Sequence, residues 1–178
     1  KLVLHIPLRA ENLCNLKWNQ INFEKKILTI PRENMKLSNI NLDDFVMPLT
    51  DEVIKILKEH KDMQLFSIKP KEYVFLGFNN RQAINKESPN RALFRLGFND
   101  EKKGTKIRLH GFRGTFRSLI DTLDTKNIFS FEVKERALDH HDKNLVARSY
   151  NHKANYQEQM IKLMNFWSEF ICSFLKGK

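Results

Sequence analysis

A short block of alternating hydrophobicity, residues 21–49, lies between segments whose apolar residues recur every three or four positions. Within it, a period of two is formed first by Ile21 and Phe23 and then by Ile27, Thr29 and Pro31. The three charged residues 24–26 lie between the two sets, which predicts two short strands joined by a turn. Residues 45–49 predict a third strand, and the polar residues 32–44 predict the hairpin loop before it. We therefore expect one mainly helical α+β domain, with a small antiparallel β-sheet near the N-terminus.

Helical periodicity is found on both sides of this block. Pro7 interrupts the first apolar segment, which predicts the end of one helix, a turn, and a second helix over residues 9–16. Thr50 is a typical N-cap, and the acidic Asp51 and Glu52 follow in the first turn of the next helix. Further helices are predicted over residues 88–96, 110–123, 131–138, 145–150 and 160–174.

The composition limits the classes of partner. The 178 residues carry a formal net charge of +10, and 41% of them are hydrophobic. The hydrophobic fraction is typical of a folded domain. The positive charge favours nucleic acid, an anionic membrane or an acidic protein as partner. Cys14 and Cys172 are too few for a disulfide scaffold and fit a reducing cytosol. Because the chain begins at Lys1 inside an apolar segment, we expect it to be a piece of a longer protein.

The first candidate for chemistry is the motif His110-Gly111-Phe112-Arg113. Residues three apart on a helix share a face, so the imidazole of His110 and the guanidinium of Arg113 can converge on one anion. Arg108 and Arg117 add positive charge to the same helix start. Such a pair also arises by chance in a basic chain, so that the motif alone is weak.

Arg9 is the second candidate. It lies at the predicted turn between the first two helices, between Leu8 and a Leu-rich helix, where a freely solvated charge is not expected. It is either an anion ligand or a structural arginine that bridges to Glu11 or to a carbonyl at a helix end.

The third candidate is a cluster of His, Asp, Arg and Tyr side chains within residues 138–152, for which two interpretations compete. Its candidate metal ligands are His140, His141, Asp142 and His152. Because adjacent side chains on a helix point about 100° apart, two neighbouring histidines cannot easily bind one ion. The other interpretation centres on Tyr150, whose basic surroundings include Lys143 and Arg148. A phenol with an ordinary pKa of about 10 becomes a workable nucleophile when cations stabilise its phenolate.

The order of these motifs along nearly the whole chain resembles the tyrosine recombinase (phage integrase) family. The motifs are Leu8-Arg9 through Leu16-Lys17-Trp18, Ile30-Pro31 through Lys36, His110-Gly111-Phe112-Arg113, Leu138-Asp139-His140 and Tyr150-Asn151-His152. The family's usual glutamate three residues after the first arginine is Asn12 here. The tail around Trp167 resembles the closing helix of integrases encoded by prophages and genomic islands.

The resemblance implies the fold of a tyrosine recombinase catalytic domain over residues 1–178, with an N-terminal core-binding domain absent. It also implies a site-specific recombinase that cleaves and rejoins double-stranded DNA through a 3′-phosphotyrosine, without a metal ion or any other cofactor. The expected partners are double-stranded DNA and accessory DNA-bending or directionality factors. The protein is expected to form a homo-tetramer on DNA, and the isolated domain is expected to be a monomer. The expected location is the bacterial cytosol and nucleoid, with no membrane partner.

All six catalytic positions implied by the resemblance are occupied: Arg9, Lys36, His110, Arg113, His140 and the nucleophile Tyr150. The two arginines are expected to hold the scissile phosphate, the lysine to protonate the leaving oxygen, and the two histidines to manage the tyrosine proton. Residues expected to contact the DNA are Arg108, Arg117, Lys143 and Arg148.

Two questions stay open at the level of sequence. The apolar face formed by Trp167, Phe170 and Phe174 either contacts a neighbouring subunit or packs on the core of its own domain. The alternatives to a recombinase are a type IB topoisomerase, a DNA-binding module without catalysis, and a metal-dependent nuclease.

Overall fold

The computed structural model describes residues 1–36, 38, 42–64, 71–78, 81–98, 100–140 and 156–174. The α-helices in these ranges are α1 Leu2–His5, α2 Ala10–Cys14, α3 Asp51–Gln64, α4 Ser88–Arg95, α5 Gly111–Leu123, α6 Phe131–Ala137 and α7 Gln157–Ser173. The strands are β1 Ile21–Asn22, β2 Ile27–Ile30 and β3 Phe45–Pro48. This architecture confirms the predicted α+β class, with a small sheet near the N-terminus.

The sheet is antiparallel and its strand order follows the sequence, β1-β2-β3. Its register places Ile21 opposite Leu28 and Ile30 opposite Phe45. The strand is where the sequence predicts it, but its buried face is the other one: Leu28 and Ile30 are buried, whereas Ile27 and Thr29 are only half-buried. The hairpin loop after β2 begins with a 3-10 turn, Arg32–Asn34, and leads to Lys36.

The C-terminal helix α7 packs on the core of its own chain. Trp167 is only 3% exposed, and its ring meets Phe116 of α5 edge to face at a centroid distance of 5.1 Å. The indole N–H of Trp167 donates to the carbonyl oxygen of Leu4 at 2.7 Å. Trp167 therefore belongs to the core and not to a subunit contact, whereas Phe174 beyond the helix end is exposed.

Most predicted helices lie where expected, with three qualifications. The helix predicted over residues 9–16 is shorter, since α2 begins at Ala10 and Arg9 is its N-cap residue. The apolar Phe94 and Leu96 near the end of α4 are exposed and add nothing to the core. The helix predicted over residues 145–150 lies outside the described residues. Among the helices described, none combines the length and the apolar character that crossing a membrane requires.

A buried polar chain connects three elements of the core. The Nδ1 atom of His5 lies 2.9 Å from the hydroxyl oxygen of Ser168, to which Thr50 donates at 3.0 Å. The hydroxyl of Thr50 also accepts the backbone N–H of Val53, and so caps α3 as the sequence predicts. Burial lowers the pKa of His5 more than the charge of Glu52 raises it, which favours the neutral imidazole.

The buried His5 predicts a pH-dependent stability. Because its folded-state pKa lies below that of the unfolded chain, the unfolded state binds more protons as the pH falls below about 6.5. The free energy of unfolding should therefore decrease as the pH is lowered from 7.5 to 5.5. The slope should reach at most about 1.4 kcal/mol per pH unit for one proton. Urea unfolding at several pH values measures this slope, and His5→Asn should flatten it. Equal slopes for wild type and variant would contradict the prediction.

Candidate active site

The site is built around the turn that ends helix α6. The N–H of His140 donates to the carbonyl oxygen of Glu135 at 2.9 Å, and the N–H of Asp139 donates to that of Arg136 at 3.0 Å. These two bonds form a Schellman motif, whose left-handed residue is Asp139 with a φ of 53°. Asp is one of the few side chains that tolerate this conformation. The turn thereby presents three neighbouring groups, namely the Leu138 carbonyl, the Asp139 carboxylate and the His140 imidazole.

The carboxylate of Asp139 binds two arginines that come from distant parts of the sequence. Its Oδ2 atom accepts from Nη1 of Arg9 at 2.8 Å, and its Oδ1 atom accepts from Nη1 of Arg32 at 2.7 Å. A second N–H group of Arg9 donates to the backbone oxygen of Asp139 at 3.3 Å. Of the two structural partners considered from the sequence, Arg9 binds the second, a carbonyl at a helix end, and the carboxylate that it binds is that of Asp139.

Arg113 reaches the same turn from helix α5. It shares one helix face with the buried Phe116 and Ile120, which brings its side chain into the domain. Its Nη1 donates to the carbonyl oxygen of Pro7 at 2.5 Å, and its Nη2 to that of Leu138 at 2.6 Å. Burial, helped by the charge of Arg9, lowers the pKa of Arg113 to about 10. The guanidinium is thus protonated at neutral pH.

The imidazole of His140 is held from both sides. Its Nδ1 lies 2.8 Å from Oε2 of Glu135, and its Nε2 lies 3.4 Å from Nη2 of Arg113. A carboxylate only accepts hydrogen bonds, so this geometry assigns the proton of a neutral imidazole to Nδ1. Burial acts to raise the pKa of Glu135, but hydrogen bonds from Arg117 and His140 outweigh it and lower that pKa.

Arg117 supports this arrangement from behind. Its Nε donates to Oε1 of Glu135 at 2.6 Å, and its Nη1 binds the carboxylate of Asp121 on the next turn of α5. Its guanidinium carbon also lies 5.3 Å from the ring centroid of Phe131. The contact of Arg117 with DNA stays a prediction, since its described partners are carboxylates and an aromatic ring.

Lys36 and Arg9 line one cavity of about 520 Å³. The two residues before Lys36 are anchored, because Met35 is buried and the carbonyl oxygen of Asn34 accepts from the side-chain amide of Asn12 at 2.8 Å. Asn12, which stands where the family usually has glutamate, thus ties the hairpin loop to α2. Lys36 itself is exposed at the end of this anchored stretch.

The remaining sequence-predicted residues fall into two groups. His110 is the exposed residue just before α5, three positions ahead of Arg113, and Arg108 is exposed two positions earlier. The others lie outside the described residues, namely Lys143, Arg148 and Tyr150, together with the metal-ligand candidates His141, Asp142 and His152. Within the described ranges, no three His, Cys, Asp or Glu side chains are grouped so as to hold a metal ion.

The two described residues that flank the segment 141–155, His140 and Tyr156, both contact helix α6. On one side, His140 is bonded to Glu135. On the other, the guanidinium carbon of Arg136 lies 4.2 Å from the ring centroid of Tyr156, the residue just before α7. His140 and Tyr156 therefore contact neighbouring residues of α6, Glu135 and Arg136, respectively.

Sequence reasoning missed Arg32 and Glu135, and it quoted Asp139 only as part of a motif. Glu135 precedes His140 by five positions, which is not a helix-face spacing, and only the Schellman turn brings the two side chains together. Arg32 follows a strand in a polar loop, where an arginine is ordinarily solvated. Its one sequence signal is its position beside the buried end of β2.

Comparison with known proteins shows what the chain is similar to. The model of the phage integrase family matches residues 1–157. The chain is 29% identical over 164 residues to the prophage integrase IntA of Escherichia coli K12, covering 92% of this chain and 35% of that protein. It is 26% identical over 173 residues to the integrase of Shigella phage Sf6, covering 96% and 40%. The chain thus spans well under half the length of these relatives.

The fold is similar to that of the XerA recombinase in its crystal structure. The TM-score is 0.58 and the sequence identity 21%, and the similarity covers 87% of this chain and 55% of the other.

The two-sided contact of His140 predicts the effect of Glu135→Gln. The amide offers one oxygen, which the permanently charged Arg117 should retain, so His140 faces the amide N–H group instead. We expect the imidazole proton to move from Nδ1 to Nε2. Nitrogen-15 chemical shifts of the ring measure this tautomer directly.

Glu132→Gln on the exposed face of the same helix is the control and should leave the ring shifts unchanged. An unaltered tautomer in Glu135→Gln would contradict the assigned hydrogen bond.

Proposed function

The chain belongs to the phage integrase family, and from this premise we propose that it is the catalytic domain of a site-specific DNA recombinase that acts through a covalent 3′-phosphotyrosine. One observation carries the proposal. Arg9, Arg113 and His140 come from three separate parts of the sequence, yet their side chains meet at the single turn over residues 138–140. These are three of the six positions that the resemblance assigns to catalysis.

The two arginines are suited to bind the scissile phosphate. Asp139 takes two N–H groups of Arg9, and a guanidinium has five, which leaves donors for phosphate oxygens. Arg113 is buried and fixed by two backbone carbonyls, so its charge is held in place before the substrate arrives. Preorganised positive charge of this kind stabilises the pentacoordinate transition state of phosphoryl transfer.

The proposed reaction forms one bond to phosphorus and breaks another. The phenolic oxygen of Tyr150 attacks the phosphorus, and the bond to the 5′-oxygen breaks. The ammonium group of Lys36 gives a proton to that leaving oxygen, while the tyrosine proton passes to an imidazole, His140 or His110. The new phosphotyrosine conserves the energy of the phosphodiester, so a 5′-hydroxyl of another strand can displace the tyrosine without ATP.

The proposed substrate is double-stranded DNA, for which the net charge of +10 is favourable. The exposed Arg108, two positions before His110, is suited to a backbone phosphate, and its contact with DNA, like those of Arg117, Lys143 and Arg148, stays a prediction. We further propose that the protein acts as a homo-tetramer on two duplexes in the bacterial cytoplasm, with accessory DNA-bending or directionality factors. These features follow from the family and extend to the whole protein.

The nucleophile is tested by trapping on a nicked suicide substrate, from which the short fragment that carries the freed 5′-hydroxyl diffuses away. The full-length protein should form a covalent adduct on the DNA 3′ end, and Tyr150→Phe should form none. Tyr156→Phe is the control, because its ring retains the contact with Arg136 and only a hydroxyl is lost. An adduct with Tyr150→Phe would remove this residue from the role of nucleophile, and no adduct in the wild type would refute the enzymatic function.

The general acid is tested by changing the leaving group. Lys36→Ala should slow cleavage of an ordinary phosphodiester by about 100-fold or more, the range of general acid catalysis. A 5′-phosphorothiolate should restore the rate, because a thiolate leaves without a proton. Lys17→Ala, on the same cavity, should show no such selective rescue. If the phosphorothiolate fails to rescue Lys36→Ala, the lysine is not the acid.

A further inference from the structure

The buried carboxylate of Asp139 links two parts of the proposed site, the phosphate-binding arginines and the hairpin loop that carries Lys36. Asp139 is 2% exposed, and its two oxygens each accept from a different arginine, Arg9 at 2.8 Å and Arg32 at 2.7 Å. Arg9 belongs to the phosphate-binding part. Arg32 belongs to the hairpin loop that carries Lys36, the proposed proton donor.

Arg32 is attached to three parts of its surroundings at once. Besides the ion pair with Asp139, its Nε donates to the carbonyl oxygen of Asp43 at 2.7 Å, and its backbone N–H donates to Oδ1 of Asp44 at 2.8 Å. The two aspartates lie just before β3, at the far end of the hairpin loop. Arg32 therefore holds both described ends of this loop against the turn at Asp139.

The energetics favour a positioning role over a purely structural one. Burying Arg32 and Asp139 removes strongly hydrated charges from water, and apolar side chains of similar volume fill such space at equal or lower cost. An ion pair, by contrast, fixes distances and directions because each arginine N–H must meet one oxygen. Arg32 and Asp139 therefore fix the positions of the groups beside them, which are the guanidinium of Arg9 and the stretch that leads to Lys36.

We propose that Arg32 and Asp139 are positioning residues that couple the lysine-bearing hairpin loop to the phosphate-binding arginines. This inference rests on the proposed function. Asp139 orients Arg9 on the phosphate, while Arg32 sets the start of the stretch that ends at Lys36, so that the ammonium proton reaches the 5′-oxygen as the bond from phosphorus to that oxygen breaks. Attack by Tyr150 on the phosphorus is the other half of the same step.

The test compares single-turnover cleavage of two suicide substrates, one with an ordinary 5′-oxygen and one with a 5′-phosphorothiolate. Both are used with the full-length protein, wild type and Arg32→Met, which keeps the side chain's length but not its charge. If Arg32 positions Lys36, the variant should cleave the ordinary substrate about tenfold more slowly or worse and cleave the phosphorothiolate at nearly the wild-type rate.

Asp139→Asn should behave differently from Arg32→Met. Asn also tolerates the left-handed conformation at this position, so the turn itself is retained. Because Arg9 loses its charged partner, cleavage of both substrates should slow, whereas DNA binding should not weaken, since one negative charge has been removed from the site. An Asp139→Asn protein with wild-type cleavage rates would overturn the role of Asp139.

Lys134→Met is the matched control, because Lys134 is also buried and paired with two carboxylates, Asp121 and Asp124. It should change the two cleavage rates in equal proportion. If Arg32→Met likewise slows both substrates equally, or neither, Arg32 does not position the lysine and the inference is overturned.

A milder variant guards against a folding defect in Arg32→Met. Asp44 is exposed, and Asp44→Ala removes only the acceptor of the Arg32 backbone N–H. It should cleave the ordinary substrate more slowly than the wild type does, by a smaller factor than Arg32→Met, and cleave the phosphorothiolate at nearly the wild-type rate. If the variant slows cleavage of both substrates by the same factor, or of neither, the inference is contradicted. If the wild type itself forms no adduct with either substrate, the proposed function fails and this inference fails with it.

Discussion

The carboxylate of Asp139, placed by the Schellman turn at the end of α6, is the contact on which the arrangement of the site depends. It receives Arg9 and Arg32, and the carbonyl just before it receives Arg113. Three guanidinium groups around one carboxylate leave an excess of positive charge, which an anion such as a phosphate can balance. The turn needs no ligand to form, because two backbone hydrogen bonds close it. The backbone of one helix end thus sets the positions of the groups that the three arginines bind.

A second set of contacts extends from the same turn. His140 is bound to Glu135, Glu135 to Arg117, and Arg117 to Asp121, so the orientation of one imidazole is fixed across two helices, α5 and α6. Charge-assisted bonds of this kind outweigh the effect of burial on Glu135 and keep it ionised. His140 therefore presents the same nitrogen, Nε2, toward Arg113 and the proposed phosphate.

Local patterns predicted the fold well because they reflect local physics. The alternation of residues 21–31 has the period of a half-buried strand, and Thr50 carries a hydroxyl where a helix start needs an acceptor. The role of Trp167 could not be predicted in this way. An apolar helix face has the same sequence whether it meets its own core or a neighbour, and only its packing against Phe116 decides.

The sequence by itself determined the family, the α+β class, and the identity of the arginines and the histidine that meet at the turn, because motif order and periodicity are properties of the chain alone. It could not determine that Asp139 is the partner of Arg9, or that Arg32 and Glu135 belong to the site. Those contacts span 130, 107 and 5 positions, respectively. The first two join elements that only tertiary packing brings together, and the third needs the left-handed turn at Asp139. Side-chain partners across such separations are set by the folded geometry and leave no periodic signal in the sequence.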